Sequence, residues 1–116
     1  MKITSVRLGR ISVPLRTPFK TALRSVSGVE DVIVEIHTDC GAVGYGEAPP
    51  TGAITGDTTG AIIGAIQDHI AKTIIGRDVD ELEPLLQSVQ KCIVGNSSAK
   101  AAVDMALWDL YGQLYN

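Results

Sequence analysis

The longest apolar segment of the chain is Asn96–Asn116, NSSAKAAVDMALWDLYGQLYN. Its first three residues carry side-chain oxygens able to cap a helix start, and strong helix formers fill most of Ala99–Tyr115. At about 100° per residue, the polar side chains of this stretch do not gather on one face. The segment therefore predicts a long helix that needs partners on more than one side. Because no Gly or Pro closes it after the last apolar pair, we expect that the helix is interrupted there and does not end naturally.

The 116-residue chain is long enough for one small domain and too short for a large catalytic barrel. Its hydrophobic content of 45% and charged content of 20% are typical of a globular protein. No apolar run approaches the roughly 18 residues of a membrane span, so we expect no membrane partner. Cys40 and Cys92 lack the spacing of a disulfide framework or a metal site, which favours a reducing, cytoplasmic setting.

The net charge of −3 conceals an asymmetry, because six basic residues precede the first acidic residue, Glu30. A transit peptide would form an amphipathic helix, which Pro14 and Pro18 disfavour. Nucleic-acid binding has little support, since aromatic residues make up only 4% of an acidic chain. An anionic small-molecule group near the end of the basic segment and plain solvated charge both remain as explanations.

Three strands are predicted before the helices. Apolar residues alternate through Lys2–Leu15 and change phase near Gly9, which predicts one long strand with a bulge. The two prolines then predict a departure into a loop over Thr17–Gly28. Further strands are predicted over Asp31–Thr38 and Ala42–Ala48, and the Asp and Gly residues between them favour a hairpin turn.

The second half of the chain predicts helices. Loop signals fill Pro49–Gly60, and isoleucines at helical spacing then predict a helix over Gly60–Ile75. Another helix is predicted over Asp80–Val94, with Pro84 tolerated in its opening turn. With the final apolar helix, the predicted fold class is α+β, a three-stranded antiparallel β-meander followed by three helices in one domain, residues 1–116.

No Ser/His/Asp or Cys/His pairing and no carboxylate cluster with metal spacing stands out, so neither catalytic nor metal-ligating residues are predicted. The stretch Gly44–Ala48, GYGEA, lacks the third Gly of a dinucleotide fingerprint and runs into a Pro-Pro loop instead of a helix. Its glycines predict a strand that another backbone approaches closely. His37 and His69 are interpreted as scaffold residues.

Each of the two predicted loops holds one large apolar residue among turn formers, Phe19 in the first and Ile54 in the second. Such residues either pin a loop to its own domain or exclude water from a neighbouring site. In the second case, Arg24 would grip a carboxylate through its bidentate fork. The residues alone leave both interpretations open.

The order of strands and helices, the GYGEA stretch and Ala99–Asp109, AKAAVDMALWD, resemble the N-terminal capping domain of the enolase superfamily, muconate-lactonizing subgroup. Within that group, Pro18–Arg24, PFKTALR, and Ala48–Asp57, APPTGAITGD, are similar to the two specificity loops of dipeptide epimerases acting on L-Ala-D/L-Glu. The resemblance spans the whole chain and implies the cap of such an isomerase.

By this resemblance, Arg24 binds the side-chain carboxylate of the substrate's Glu, while Phe19 and Ile54 line the pocket. Family members carry out catalysis in a (β/α)₈ barrel that follows the cap, where paired lysines move the α-proton and three acidic side chains hold Mg²⁺. None of those positions falls in this chain. The resemblance therefore implies an inactive cap whose partners are the barrel domain and a small dipeptide, with homo-oligomer formation left open.

Two other functions remain open. The cap of a muconate cycloisomerase or an o-succinylbenzoate synthase relative would share the fold, although such substrates need not present a Glu side chain to Arg24. A free-standing binding or assembly module would expose little apolar surface. If a barrel follows, we expect the last helix to expose an apolar stripe containing some of Leu107, Leu110, Tyr111 and Leu114.

Overall fold

The computed structural model describes residues 1–20, 25–50 and 58–115, without the side chains of residues 13–20 and 25–29. An antiparallel sheet holds three strands in chain order: β1 (Ile3–Lys20), β2 (Ser25–Thr38) and β3 (Val43–Ala48). The helices that follow are α1 (Thr59–Ala65), a π-helical segment (Ile66–Ile70), α2 (Ala71–Ile74), α3 (Leu82–Lys91) and α4 (Ser97–Leu114). The predicted α+β class, a β-meander followed by helices, is confirmed.

β2 forms the centre of the sheet and alternates as predicted. Val32, Val34 and Ile36 are fully buried on the face covered by the helices, and the residues between them are half-buried on the other face. The hairpin to β3 turns at Gly41, whose φ of 86° lies in the left-handed region that favours glycine. The alternation thus fixes which face of the sheet carries the core.

The bulge in β1 lies nearer the start of the strand than predicted. Pairing with β2 shifts between Ile3 and Ser5, whereas Gly9 pairs regularly with Ile33. This shift puts an odd-numbered residue, Ile3, and an even-numbered residue, Val6, on the core side of the sheet. The later phase change in the sequence, near Gly9, does not mark a bulge. It arises because Ile11 is an apolar residue on the outer face of the sheet, where it is 48% exposed.

The prediction that the prolines end the first strand is also wrong. β1 continues to Lys20 and β2 begins at Ser25, so most of the predicted loop over residues 17–28 is strand. β1 is an edge strand with a neighbour on one side only. A proline, which has no N–H group to donate, is tolerated in such a strand. Pairing is irregular between Pro14 and Phe19, which shows where the ladder adjusts to the prolines.

The first predicted helix is confirmed, with a local difference. The helical run of α1, the π-helical segment and α2 ends before Gly76, which has a φ of 89°. Its buried isoleucines recur every four residues, at Ile62, Ile66, Ile70 and Ile74. Four residues of α-helix overshoot a full turn by about 40°, and the wider π turn takes up part of that drift, which keeps the four side chains on the core.

α3 is shorter than predicted, and Pro84 is its third residue, within the opening turn as expected. α4 begins as predicted but is capped differently. Asn96 has a left-handed backbone (φ 54°) and makes no side-chain capping bond. The buried Lys100 ammonium, within the first turn of α4, caps the end of α3 by donating to the backbone carbonyls of Gln90 and Ile93.

α4 lies unusually close to β3. A Cβ atom built at Gly44 would lie 2.3 Å from the Ala106 carbonyl oxygen, so the predicted close backbone approach is confirmed. Two α4 side chains also satisfy the free edge of β3. The Asp109 carboxylate accepts from the Tyr45 N–H (2.9 Å), and the Gln113 amide donates to the Val43 carbonyl (2.9 Å).

This contact overturns part of the expected exposed stripe on the last helix. Leu107 and Leu110 are fully buried within the chain, because α4 packs them between the sheet and the other helices. Tyr111 and Leu114 are half-buried. The large apolar side chains that α4 and its C-terminal boundary do expose are Met105, Trp108 and Tyr115.

Candidate functional site

Two of the three residues predicted to bind substrate, Arg24 and Ile54, lie outside the described residues. The backbone of Phe19 belongs to β1, where it pairs with Val26, but its side chain lies outside the described part as well. The roles assigned to these three residues therefore stay predictions. The surroundings of the segments that carry them can be built from the described residues.

The described residues on either side of positions 51–57 lie at one level of the sheet. Ala48, at the end of β3, pairs with Val32 on β2. Thr59, at the start of α1, lines a cavity of about 250 Å³ together with Asp31, the residue before Val32. The Thr58 hydroxyl caps α1 by accepting from the Ala61 N–H (3.1 Å).

The same cavity is bounded by both strands of the long β1–β2 hairpin, which leads on to residues 21–24. Besides Asp31 and Thr59, its lining residues are Arg10, Ile11, Ser12 and Glu30. One basic and two acidic side chains therefore surround it. Such a balance does not favour a carboxylate, so the lining of this cavity does not by itself supply the grip predicted for Arg24.

Asp31 also takes part in a carboxyl pair that was not predicted. A side-chain hydrogen bond between Asp31 and Glu47 raises the pKa of Glu47 above its usual range. The other oxygen of Asp31, Oδ1, is buried and has no hydrogen-bond partner among the described residues.

The sequence contained a signal for this pair. The turn between β2 and β3 pairs Glu47 with Ile33, so Asp31 and Glu47 are diagonal neighbours on the same face of the sheet. The sequence-based predictions for these strands concerned only their core face, whereas the two acidic residues lie side by side on the other face.

Metal binding finds no support in the described part of the chain. Among residues 1–20, 25–50 and 58–115, no group of three or more His, Cys, Asp or Glu side chains could hold a metal ion. The described residues thus do not fit a Mg²⁺ site. The Nε2 atom of His37 lies 2.9 Å from Oε1 of Glu35, in a local pair on the sheet surface.

No helix in this part of the chain could cross a membrane.

The chain resembles the N-terminal third of known dipeptide epimerases. It is 55% identical to the L-Ala-D/L-Glu epimerase of Clostridium acetobutylicum over 99% of this chain and 32% of the relative. A solved structure of a substrate-liganded complex of the L-Ala-D/L-Glu epimerase from Bacillus subtilis matches with a TM-score of 0.95 and 49% identity, over 99% of this chain and 32% of that one.

A more distant match extends the likeness to another dipeptide. The structure of a dipeptide epimerase from Enterococcus faecalis V583, complexed with Mg and L-Leu-L-Tyr, matches with a TM-score of 0.91 and 35% identity, over 99% of this chain and 32% of that one. The chain thus spans about a third of the length of these relatives. These likenesses confirm the predicted capping-domain fold. Residues 3–116 match the family described as mandelate racemase / muconate lactonizing enzyme, N-terminal domain, and the chain therefore belongs to that family.

Proposed function

We propose that this chain is the substrate-specificity cap of a Mg²⁺-dependent dipeptide epimerase of the L-Ala-D/L-Glu type. The observation that carries the proposal is the likeness, over nearly the whole chain, to the L-Ala-D/L-Glu epimerases of two bacterial species. The family alone would also allow muconate-lactonizing chemistry. The level of identity to the epimerases favours the dipeptide reaction.

In this proposal, Arg24 binds the side-chain carboxylate of the substrate's Glu, and Phe19 and Ile54 line the pocket around it. The charge distribution supports a basic group here, because six of the ten Lys and Arg residues precede Glu30, the first acidic residue of the chain. A bidentate guanidinium fork matches a carboxylate in geometry as well as in charge.

We assign the catalytic groups and the Mg²⁺ ligands to a barrel domain beyond these 116 residues, in the same polypeptide or in a separate chain. Support comes from the length of the relatives, about three times that of this chain, and from the Mg named in the Enterococcus faecalis structure. We also assign the protein to the cytoplasm, which the two unpaired cysteines, Cys40 and Cys92, support.

The proposal is tested by joining this chain to the remaining two-thirds of the Bacillus subtilis relative. In D₂O with Mg²⁺, the joined protein should incorporate deuterium at an α-carbon of L-Ala-L-Glu, while residues 1–116 alone should give only the blank rate. The Bacillus subtilis portion without a cap is the second control. A folded joined protein that incorporates no deuterium would refute the epimerase assignment, and incorporation by the isolated chain would refute its role as an inactive cap.

A further inference from the structure

One side of α4 carries an unbroken line of exposed residues. We call this line the α4 stripe; its members are Ala101, Met105, Trp108, Gly112 and Tyr115. They follow one another at spacings of four and three, which keeps them on one side of a helix. Trp108 is 56% exposed and Tyr115 is 63% exposed. Aligned apolar residues of this size are typical of an interaction surface.

The α4 stripe borders an apolar groove between α3 and α4. The groove has a volume of about 500 Å³ and is lined by Asp80, Leu82, Glu83, Pro84, Leu86, Trp108 and Tyr111. Most of the lining is apolar, and the two charged residues, Asp80 and Glu83, are both exposed acids. The stripe and the groove together form an apolar surface with an acidic rim.

Three aromatic rings on this surface are held in place by one another. Trp108 meets Tyr111 edge to face, with ring centroids 6.1 Å apart, and the centroids of Tyr111 and Tyr115 are 4.8 Å apart. The Tyr115 hydroxyl in turn donates to Asp80. Because these rings are already ordered, a partner that covers them would lose little side-chain freedom.

We propose that the α4 stripe and its groove bind the domain that follows in the longer relatives. That domain would contribute an apolar surface, with basic side chains opposite Asp80 and Glu83. This inference rests on the proposed function and names the face it uses. The family match is to an N-terminal domain, and the relatives are about three times as long, so their remaining residues follow α4. Tyr115 belongs to the stripe and lies directly after α4, which places a following domain beside this surface at high effective concentration.

The small residues of the stripe favour a closely packed partner. A Cβ atom built at Gly112 would have no neighbouring atom within 4 Å, so this position is open to a side chain from outside. A second copy of the chain is a poorer occupant. Symmetric contact about a two-fold axis would bring two acidic rims, each with Asp80 and Glu83, towards each other.

The test compares thiol labelling in residues 1–116 alone and in the same chain joined to the remaining two-thirds of the Bacillus subtilis relative. Cys40→Ser removes an exposed thiol, Met105→Cys places one on the stripe, and mass spectrometry assigns each label to its position. Val94→Cys is the matched control, because Val94 is 94% exposed and lies off the stripe. We expect joining to slow labelling at position 105 at least tenfold and to change it less than twofold at position 94.

A second measurement uses Trp108→Glu in the joined protein. It should split one thermal transition into two, while Val94→Glu should leave one. Equal labelling at position 105 in the two proteins would overturn the proposal, as would protection in the isolated chain that grows with its concentration. Deuterium exchange in the same joined protein separates the two claims. Protection without exchange would refute the epimerase assignment alone, and exchange without protection would refute the docking surface alone.

Discussion

A Cβ atom built at Gly46 would lie only 1.9 Å from the carbonyl oxygen of Ala102. The backbone of α4 therefore rests directly on the backbone of β3, with no side chain between them at this point. Gly44 repeats the relationship one helical turn further along α4, against Ala106. These two contacts fix how α4 sits on the sheet, and hence which residues the helix turns outward.

The close contact predicts that Gly46→Ala is strongly destabilising. The added methyl group can be accommodated only if α4 moves off the sheet, so we expect the free energy of unfolding to fall by about 3 kcal/mol or more. Gly64→Ala is the matched control, because a Cβ atom at Gly64 meets nothing within 4 Å. Its expected effect is a gain of about 0.5–1 kcal/mol from helix propensity. Urea denaturation measures both, and a neutral Gly46→Ala would contradict the packing described.

Removing the buried ammonium of Lys100 should destabilise the fold in a different way, through lost hydrogen bonds. Its buried ammonium donates to the Gln90 carbonyl (2.9 Å) and to the Ile93 carbonyl at the end of α3. Lys100→Met keeps the length of the side chain but leaves these acceptors without that donor, which should cost about 1–3 kcal/mol. Lys91→Met removes an exposed lysine from α3 and should change stability by about 0.5 kcal/mol or less. Equal losses in the two variants, read from their thermal midpoints, would contradict this role.

The carboxyl pair of Asp31 and Glu47 predicts a dependence on pH. The pKa of Glu47 is raised in the folded chain by its hydrogen bond to Asp31. A raised carboxyl pKa stabilises the folded state below the group's ordinary pKa, and this contribution is lost as the pH rises through the folded value. Glu47→Gln, which cannot ionise, should therefore gain stability relative to the unaltered chain between about pH 4 and about pH 7. Urea midpoints at the two pH values measure the difference, and a difference independent of pH would contradict the raised pKa of Glu47.

Local patterns were sufficient to predict much of the fold. The alternation of Val32, Val34 and Ile36 identified the core face of β2, and the glycines of β3 indicated the close approach of another backbone, which in the structure is that of α4. The Asp and Gly residues after Thr38 likewise define the hairpin that the structure contains.

Features that depend on neighbouring elements were predicted less well. A proline such as Pro14 would end a central strand but is tolerated in an edge strand, and the local sequence does not reveal that β1 is an edge strand. An apolar residue in the wrong phase means a bulge near Ile3 but an exposed side chain at Ile11. Leu107 was one of four residues from which an exposed stripe was expected, and it is buried because α4 sits deep on the β3 glycines, a depth that depends on tertiary packing.

The candidate site was predicted by resemblance more than by pattern. Loop composition singled out Phe19 and Ile54, and the guanidinium of Arg24 suited a carboxylate, but the resemblance to dipeptide epimerases assigned their substrate-binding roles. All three side chains lie outside the described part of the structure. The pair of Asp31 and Glu47 follows from the register that the turn between β2 and β3 sets, and this register was not applied to the outer face of the two strands. Polar pairs of this kind depend on register, which composition and periodicity do not supply.

The central claim is that this domain selects an acidic dipeptide through Arg24. Its most direct test is kcat/KM of the joined protein for L-Ala-L-Glu and for the uncharged L-Ala-L-Gln, with Arg24→Ala and with Arg16→Ala as a control of equal charge. We expect Arg24→Ala to lower kcat/KM for L-Ala-L-Glu by about 10- to 100-fold, the cost of a lost charge-assisted hydrogen bond, and to change it less than about twofold for L-Ala-L-Gln. Equal losses for the two dipeptides would contradict the claim.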